Sequence, residues 1–250
     1  MGFVLVLVLA LAAAFQPRDS YAQIPDKFTN LEVLPKDIDK QALMQVMRGF
    51  SGALGVRCAH CHVGTDPHDL KTFDWAADDK DAKKIARKMA LMTAGINQTL
   101  TTEIGSMRPD RLEVGCYTCH HGNARPETLE QSLTAVLNRD GIDSTVVAYK
   151  RLRGDFYGAA TYDFSEWSLI SIAEGMSRKP EQQKAAIALL NLNLEYYPES
   201  AGTYARLGET QHAMGDTKAA MASFDKALAL APDDEWLKRR VERLKQAPKQ

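Results

Sequence analysis

The four cysteines of this 250-residue chain fall into two copies of one pattern, Cys58-Ala59-His60-Cys61-His62 and Cys116-Tyr117-Thr118-Cys119-His120. Two thiols three positions apart, followed at once by an imidazole, form the signature of covalent haem attachment. The spacing lets both thiols reach the two vinyl groups on one porphyrin edge. The adjacent imidazole then swings under the ring as the fifth iron ligand. Other uses of the same residues fit less well. Two disulfides would be ordinary for four cysteines in an oxidising compartment, but not in this arrangement. A zinc site would need the pairs closer together than positions 58–61 and 116–119, since zinc modules separate them by about 12 to 20 residues. A thioredoxin-like redox pair needs a strand leading into a helix, which neither copy has. The pattern therefore predicts two covalently bound haem c groups. Cys58, Cys61, Cys116 and Cys119 are the attachment residues, and His62 and His120 the proximal ligands.

The sixth ligand must come from a neighbouring element. Before the first motif, Asp39–Gly55 has a helical pattern. Asp37 or Asp39 can cap its start and Gly55 its end. Leu43, Val46, Met47, Phe50 and Leu54 recur along one face. Met47 on that face is the candidate distal ligand of the first iron, with Met44 as fallback, although most methionines on apolar stripes are core filler. Before the second motif, residues 79–98 place Ala82, Ile85, Met89, Met92 and Ile96 on one face. Either Met89 or Met92 can serve the second iron, and periodicity does not choose between them. Gly115 eases the turn into Cys116. Of the other histidines, His60 lies inside its own attachment loop, His121 follows a proximal ligand, and His212 sits in a helical region. His68, in a loop, is the competitor to methionine.

The positioning elements divide the chain. Residues 23–126 read as a two-haem domain and 127–250 as a cysteine-free helical domain. Residues 201–234 have the tetratricopeptide pattern of small and large residues, with Tyr204, Leu207, Gly208, Ala220, Phe224, Ala227 and Pro232 at the expected places. A weaker copy covers about 167–200. Residues 127–153 can add a helical pair, and 234–246 form a closing helix with a polar face. Such modules bind protein segments on a concave face. The class is thus all-α: a small helical multihaem cytochrome c domain followed by a short tetratricopeptide-like repeat domain.

Composition bounds the rest. About 45% of residues are apolar, 25% are charged, and the formal net charge is −1, so no basic field points to nucleic acid. Residues 3–15 are an apolar run too short to span a bilayer. With Ser20-Tyr21-Ala22 behind it, the run predicts a cleaved leader over 1–22 and export to the periplasm or beyond. No cysteine lies at that cleavage site for a lipid, so no stable membrane anchor is expected.

From about Phe28 to Pro126 the sequence resembles the cytochrome c subunit family of photosynthetic reaction centres and its two-haem relatives. The resemblance rests on LMQVMRGFSGALGVRCAHCH, IARKMALMTAGIN and VGCYTCHHGNARP. It implies a helix, a turn, and then the attachment motif, with the distal methionine donated by the helix. By position it assigns Met47 to the first iron and Met89 to the second, leaving Met92 as fallback. Reaction-centre members carry four haems where this sequence has two motifs. The expected role is electron transfer without catalysis, with redox proteins as partners and self-association or polymerisation through the repeats. The competing expectation is a haem enzyme or a gas or redox sensor with one displaceable distal ligand.

Overall fold

The computed structural model describes residues 24–105 and 113–246, and side chains as far as 243. The expected leader over 1–22 lies outside the described residues. Among the described residues the fold is all-α apart from one two-residue strand pair. The chain separates into two compact units. One holds the described residues up to Ser51 together with Arg57–Val114; the other holds Gly52–Val56 and the chain from Gly115 onward.

In the first unit, α1 (Lys40–Leu54) starts where Asp39 accepts a hydrogen bond from the Ala42 amide at 2.8 Å, which selects Asp39 over Asp37 as the cap. Cys58–His60 forms a 3₁₀ turn. Strands β1 (Val63–Gly64) and β2 (Phe73–Asp74) pair antiparallel, with Val63 opposite Asp74 and Gly64 opposite Phe73. Helix α2 (Asp81–Thr99) carries the second apolar stripe and runs into a π turn at Leu100–Ile104. The Asn97 side chain clamps Val114, donating to its carbonyl at 2.9 Å and accepting from its amide at 2.8 Å.

In the second unit, α3 (Cys116–His120) is a short turn of helix. Helix α4 (Leu129–Phe156) is two helices merged across Gly141, whose φ of 80° breaks the run into the pair expected from sequence. It begins in a capping box. Thr128 accepts from the Gln131 amide, and the Gln131 side chain accepts from the Thr128 amide. Then come α5 (Glu166–Ser177), α6 (Gln183–Tyr196), α7 (Ala201–Ala213), α8 (Thr217–Leu230) and α9 (Glu235–Gln246), two helical hairpins and a closing helix. Their core is dense, with Leu133, Tyr149, Leu169, Ala173, Leu189, Leu190 and Phe224 all at 0% exposure. Gly208 shows why the repeat alternates small and large residues. A Cβ there would sit 2.8 Å from the Phe224 ring, so the two helices pack at this distance only over a glycine.

Candidate functional site

The first motif is one helical turn. The His62 amide donates to the Cys58 carbonyl at 2.9 Å and the Cys61 amide to the same oxygen at 3.2 Å. This closure puts both thiols and the imidazole on consecutive corners of a single turn, which is what attachment along one porphyrin edge requires. None of the four cysteines forms a disulfide, so each thiol is available for covalent attachment. Burial pushes the Cys61 thiol above its ordinary value, while Lys80 pulls it the other way.

His62 is held by aromatic packing. The Trp75 ring meets its edge at 5.1 Å between centroids, and Phe73 stacks on Trp75 at 5.0 Å. The strand pair carries this stack into place, and a Cβ at Gly64 would press within 2.8 Å of the Phe73 ring. The Trp75 backbone interacts with the imidazole, yet no hydrogen bond of regular geometry reaches the buried Nδ1. Burial, followed by the nearby Lys83 ammonium, lowers the His62 pKa to about 4, which keeps the ring neutral and able to ligate a metal. Lys83 is itself enclosed. Its ammonium donates to the carbonyls of Trp75, Ala76 and Ala77 at 3.0, 3.1 and 2.8 Å and pairs with Asp78 at 3.1 Å. Arg87 pairs with Asp78 at 2.9 Å and Glu32 at 3.0 Å. The Arg87 hydrogen bond, with help from Asn30, holds Asp78 far below the usual carboxylate range.

The second motif is α3, again one turn with Cys116 and Cys119 on one face. Gly115 before it is extended, at φ −123°, so the turn does not use the glycine's special freedom; its amide instead donates to Thr118 Oγ1 at 3.0 Å. The His120 ring is fixed differently from that of His62. Its Nδ1 lies 2.9 Å from the Asn123 carbonyl. A carbonyl can only accept, so Nδ1 carries the proton and Nε2 keeps its lone pair for a metal. The loop that presents this carbonyl is tied down. The Asn123 amide side chain donates to the Tyr162 hydroxyl at 2.7 Å, Thr161 donates to the His121 carbonyl at 2.6 Å, and the Gly122 amide donates to the Ala53 carbonyl at 2.9 Å. Gly55 is obligatory beside it: φ is +63°, and a Cβ would lie 2.0 Å from the Gly122 oxygen.

Met47 and Met44 are half-buried on α1, and Met89 and Met92 are exposed on α2. On α2, Ile85, Met89, Met92 and Ile96 form a stripe 55, 38, 53 and 41% exposed. Such a stripe is what a helix facing a flat apolar group presents. The residues present therefore fit haem. His60 and His68 are exposed and His212 lies on α7. Among the described residues no group of three or more His, Cys, Asp or Glu side chains converges on a metal position. Four supporting residues escape sequence reasoning: Trp75, Lys83, Asn123 and Tyr162. Only the position of Asn123, three residues after His120, offers a local signal.

Residues 19–147 match the family described as photosynthetic reaction centre cytochrome c subunit. The chain belongs to that family. Residues 201–234 match the tetratricopeptide repeat. A curated relative, the photosynthetic reaction center cytochrome c subunit of Roseobacter denitrificans, is 27% identical over 126 residues, covering 50% of this chain and 32% of that protein. The chain thus spans about a third of that relative's length. No solved structure matches. Family membership makes covalent haem c the cofactor class. Among the described residues, no helix is long and apolar enough to cross a membrane.

Proposed function

We propose that this family member is an exported two-haem cytochrome c that relays single electrons between protein partners. The observation that carries the reading is the use of every cysteine in a C-x-x-C-H motif folded as one turn, with free thiols and the histidine at its end. Each haem, when bound, supplies a one-electron iron couple. Cys58 and Cys61 would hold the first group through thioethers, and Cys116 and Cys119 the second. His62 and Met47 would be the iron ligands of the first group, and His120 and Met89 those of the second, with Met92 as fallback. Such histidine–methionine ligation would leave no place for exogenous ligands and would favour the reduced iron relative to bis-histidine. Residues 23–126 carry the redox groups. Residues 127–250, two repeats preceded by α4 and closed by α9, dock a redox protein or another copy of the chain. The leader-like run at 3–15 supports export to the periplasm or the cell exterior. The partner of the curated relative is not carried over, since this chain has two motifs and covers a minor part of that protein.

Haem counting by pyridine haemochrome, combined with carbon monoxide titration of the reduced protein, tests the reading. Two covalent haems per chain that ignore carbon monoxide are expected. One haem that binds it would point to a sensor or enzyme, and fewer than two haems would refute the assignment.

A further inference from the structure

The two proximal histidines have the same sequence context but unlike surroundings, and the difference bears on redox potential. A carbonyl accepting from the imidazole Nδ1 raises the basicity of the ligand, which stabilises ferric iron. His120 has that acceptor, the Asn123 carbonyl at 2.9 Å, secured through Tyr162. Among the described residues, His62 has no hydrogen bond of regular geometry at Nδ1, only a looser interaction with the Trp75 backbone carbonyl. That same carbonyl also accepts from the Lys83 ammonium at 3.0 Å. Lys83 also contributes a charge with only 12% of its side chain exposed. Lys80, whose ammonium donates to the Ala59 carbonyl inside the attachment loop, adds another. Asp78 and Glu32 offset part of this through Lys83 and Arg87, leaving three cations against two carboxylates. A positive charge held in a partly dry site opposes the extra charge of ferric iron more than it opposes ferrous iron.

Resting on the two-haem reading, we infer that the iron held by His62 has the higher potential and that Lys83 is the positioning residue that sets the difference. Lys83 acts in two ways, as a charge and as a second donor that shares the Trp75 carbonyl with the His62 ring. In a half-reduced molecule the electron resides on the first haem, so that site is the terminal acceptor within the chain.

Spectroelectrochemical titration of the full-length holoprotein tests this, after haem counting has established two groups. Two one-electron components are expected. Lys83→Gln should move the upper component down by about tenfold in its reduction equilibrium, which is about 59 mV, and leave the lower one in place. Lys83→Arg should restore it. Lys84→Gln, on the same helix but pairing outward with Asp81, should move neither. If Lys83→Gln does not fold, Lys80→Gln should shift the same upper component in the same direction by less. An unsplit titration, movement of the lower component, or no movement in folded Lys83→Gln or Lys80→Gln would overturn the inference. A haem count below two would instead refute the underlying reading.

Discussion

The two units solve the burial problem in opposite ways. In the second, α4 to α9 bury their apolar faces against one another, with Tyr149, Leu189 and Phe224 wholly enclosed. In the first, Leu43 and Phe73 are the only buried apolar side chains among the described residues, and α2 buries none. Both units have amphipathic helices, so patterning does not distinguish them. On the two-haem reading, what distinguishes them is the partner of the apolar face: polypeptide in one case, a prosthetic group in the other. A helix that cannot bury its stripe gains little from its own hydrogen bonds. That reading makes the first unit dependent on its cofactor for stability, while the second has a packed core of its own.

The largest consequence concerns attachment. Replacing both Cys58 and Cys61 by Ser should abolish the unfolding transition of the first unit while the repeat unit still melts cooperatively. Limited proteolysis of the full-length variant should remove the region around α1 and α2 and leave a fragment reaching from near Gly115 to the C-terminal helix. Retention of both transitions would break the comparison, because the first unit would then have a sufficient core of its own.

Next in size is Phe224→Ala, which removes a ring enclosed between α7 and α8. A cost of about 3–5 kcal/mol is expected for a ring that leaves a cavity. Denaturant titration should place all of that loss in the repeat unit's transition. The haem spectrum should stay unchanged.

The attachment turns are legible in the sequence because covalent chemistry fixes their spacing, independent of what surrounds them. The helices are legible because the period of 3.6 repeats over many residues: the stretch 39–55 contains Lys40–Leu54, and 79–98 matches Asp81–Thr99 closely. What sequence does not supply is who meets whom. Lys83 reads as one of several lysines on a polar helix face, and only folding brings the Trp75, Ala76 and Ala77 carbonyls onto its ammonium. Gly55 reads as a helix stop, yet its stronger constraint is the Gly122 oxygen, far away in the chain. Gly115 is the reverse case. Its type suggests special backbone freedom, and its extended φ does not need it. Met89 and Met92 are both exposed on one stripe, so choosing between them rests on family resemblance.

Alkaline pH sharpens the comparison from the repeat side. Burial pushes the Tyr149 phenol up to about 12, partly opposed by Arg153, whose guanidinium donates to the hydroxyl at 3.4 Å. An unfolded tyrosine titrates near pH ~10. Between these values the unfolded chain has lost its proton and the folded one has kept it, so stability falls as pH rises. The contribution is fully present below pH ~10 and lost by pH ~12, amounting to about 2–3 kcal/mol. Tyr149→Phe should flatten that part of the stability curve of the repeat unit. A slope unchanged by the substitution would show that another group governs alkaline unfolding.

The smallest effect tests how local the repeat unit's stability is. Thr128 opens α4 by accepting from the Gln131 amide at 3.1 Å, while Gln131 accepts from the Thr128 amide at 2.8 Å. Thr128→Ala leaves one helix-terminal amide without its side-chain partner and should cost about 1 kcal/mol, a few degrees in melting temperature for a unit of this size. Thr128→Ser keeps the acceptor oxygen and should cost little. Leu129 and Leu133, directly after the cap, are buried in the repeat core, so the loss belongs to that unit's transition. His120 lies just upstream, but its Nδ1 is secured by the Asn123 loop, which Tyr162 and Thr161 hold, rather than by the start of α4. The potential of the second haem should therefore be the same in both variants. A shifted potential in Thr128→Ala alone would mean that the cap, and not the Asn123 loop, holds the proximal histidine in place.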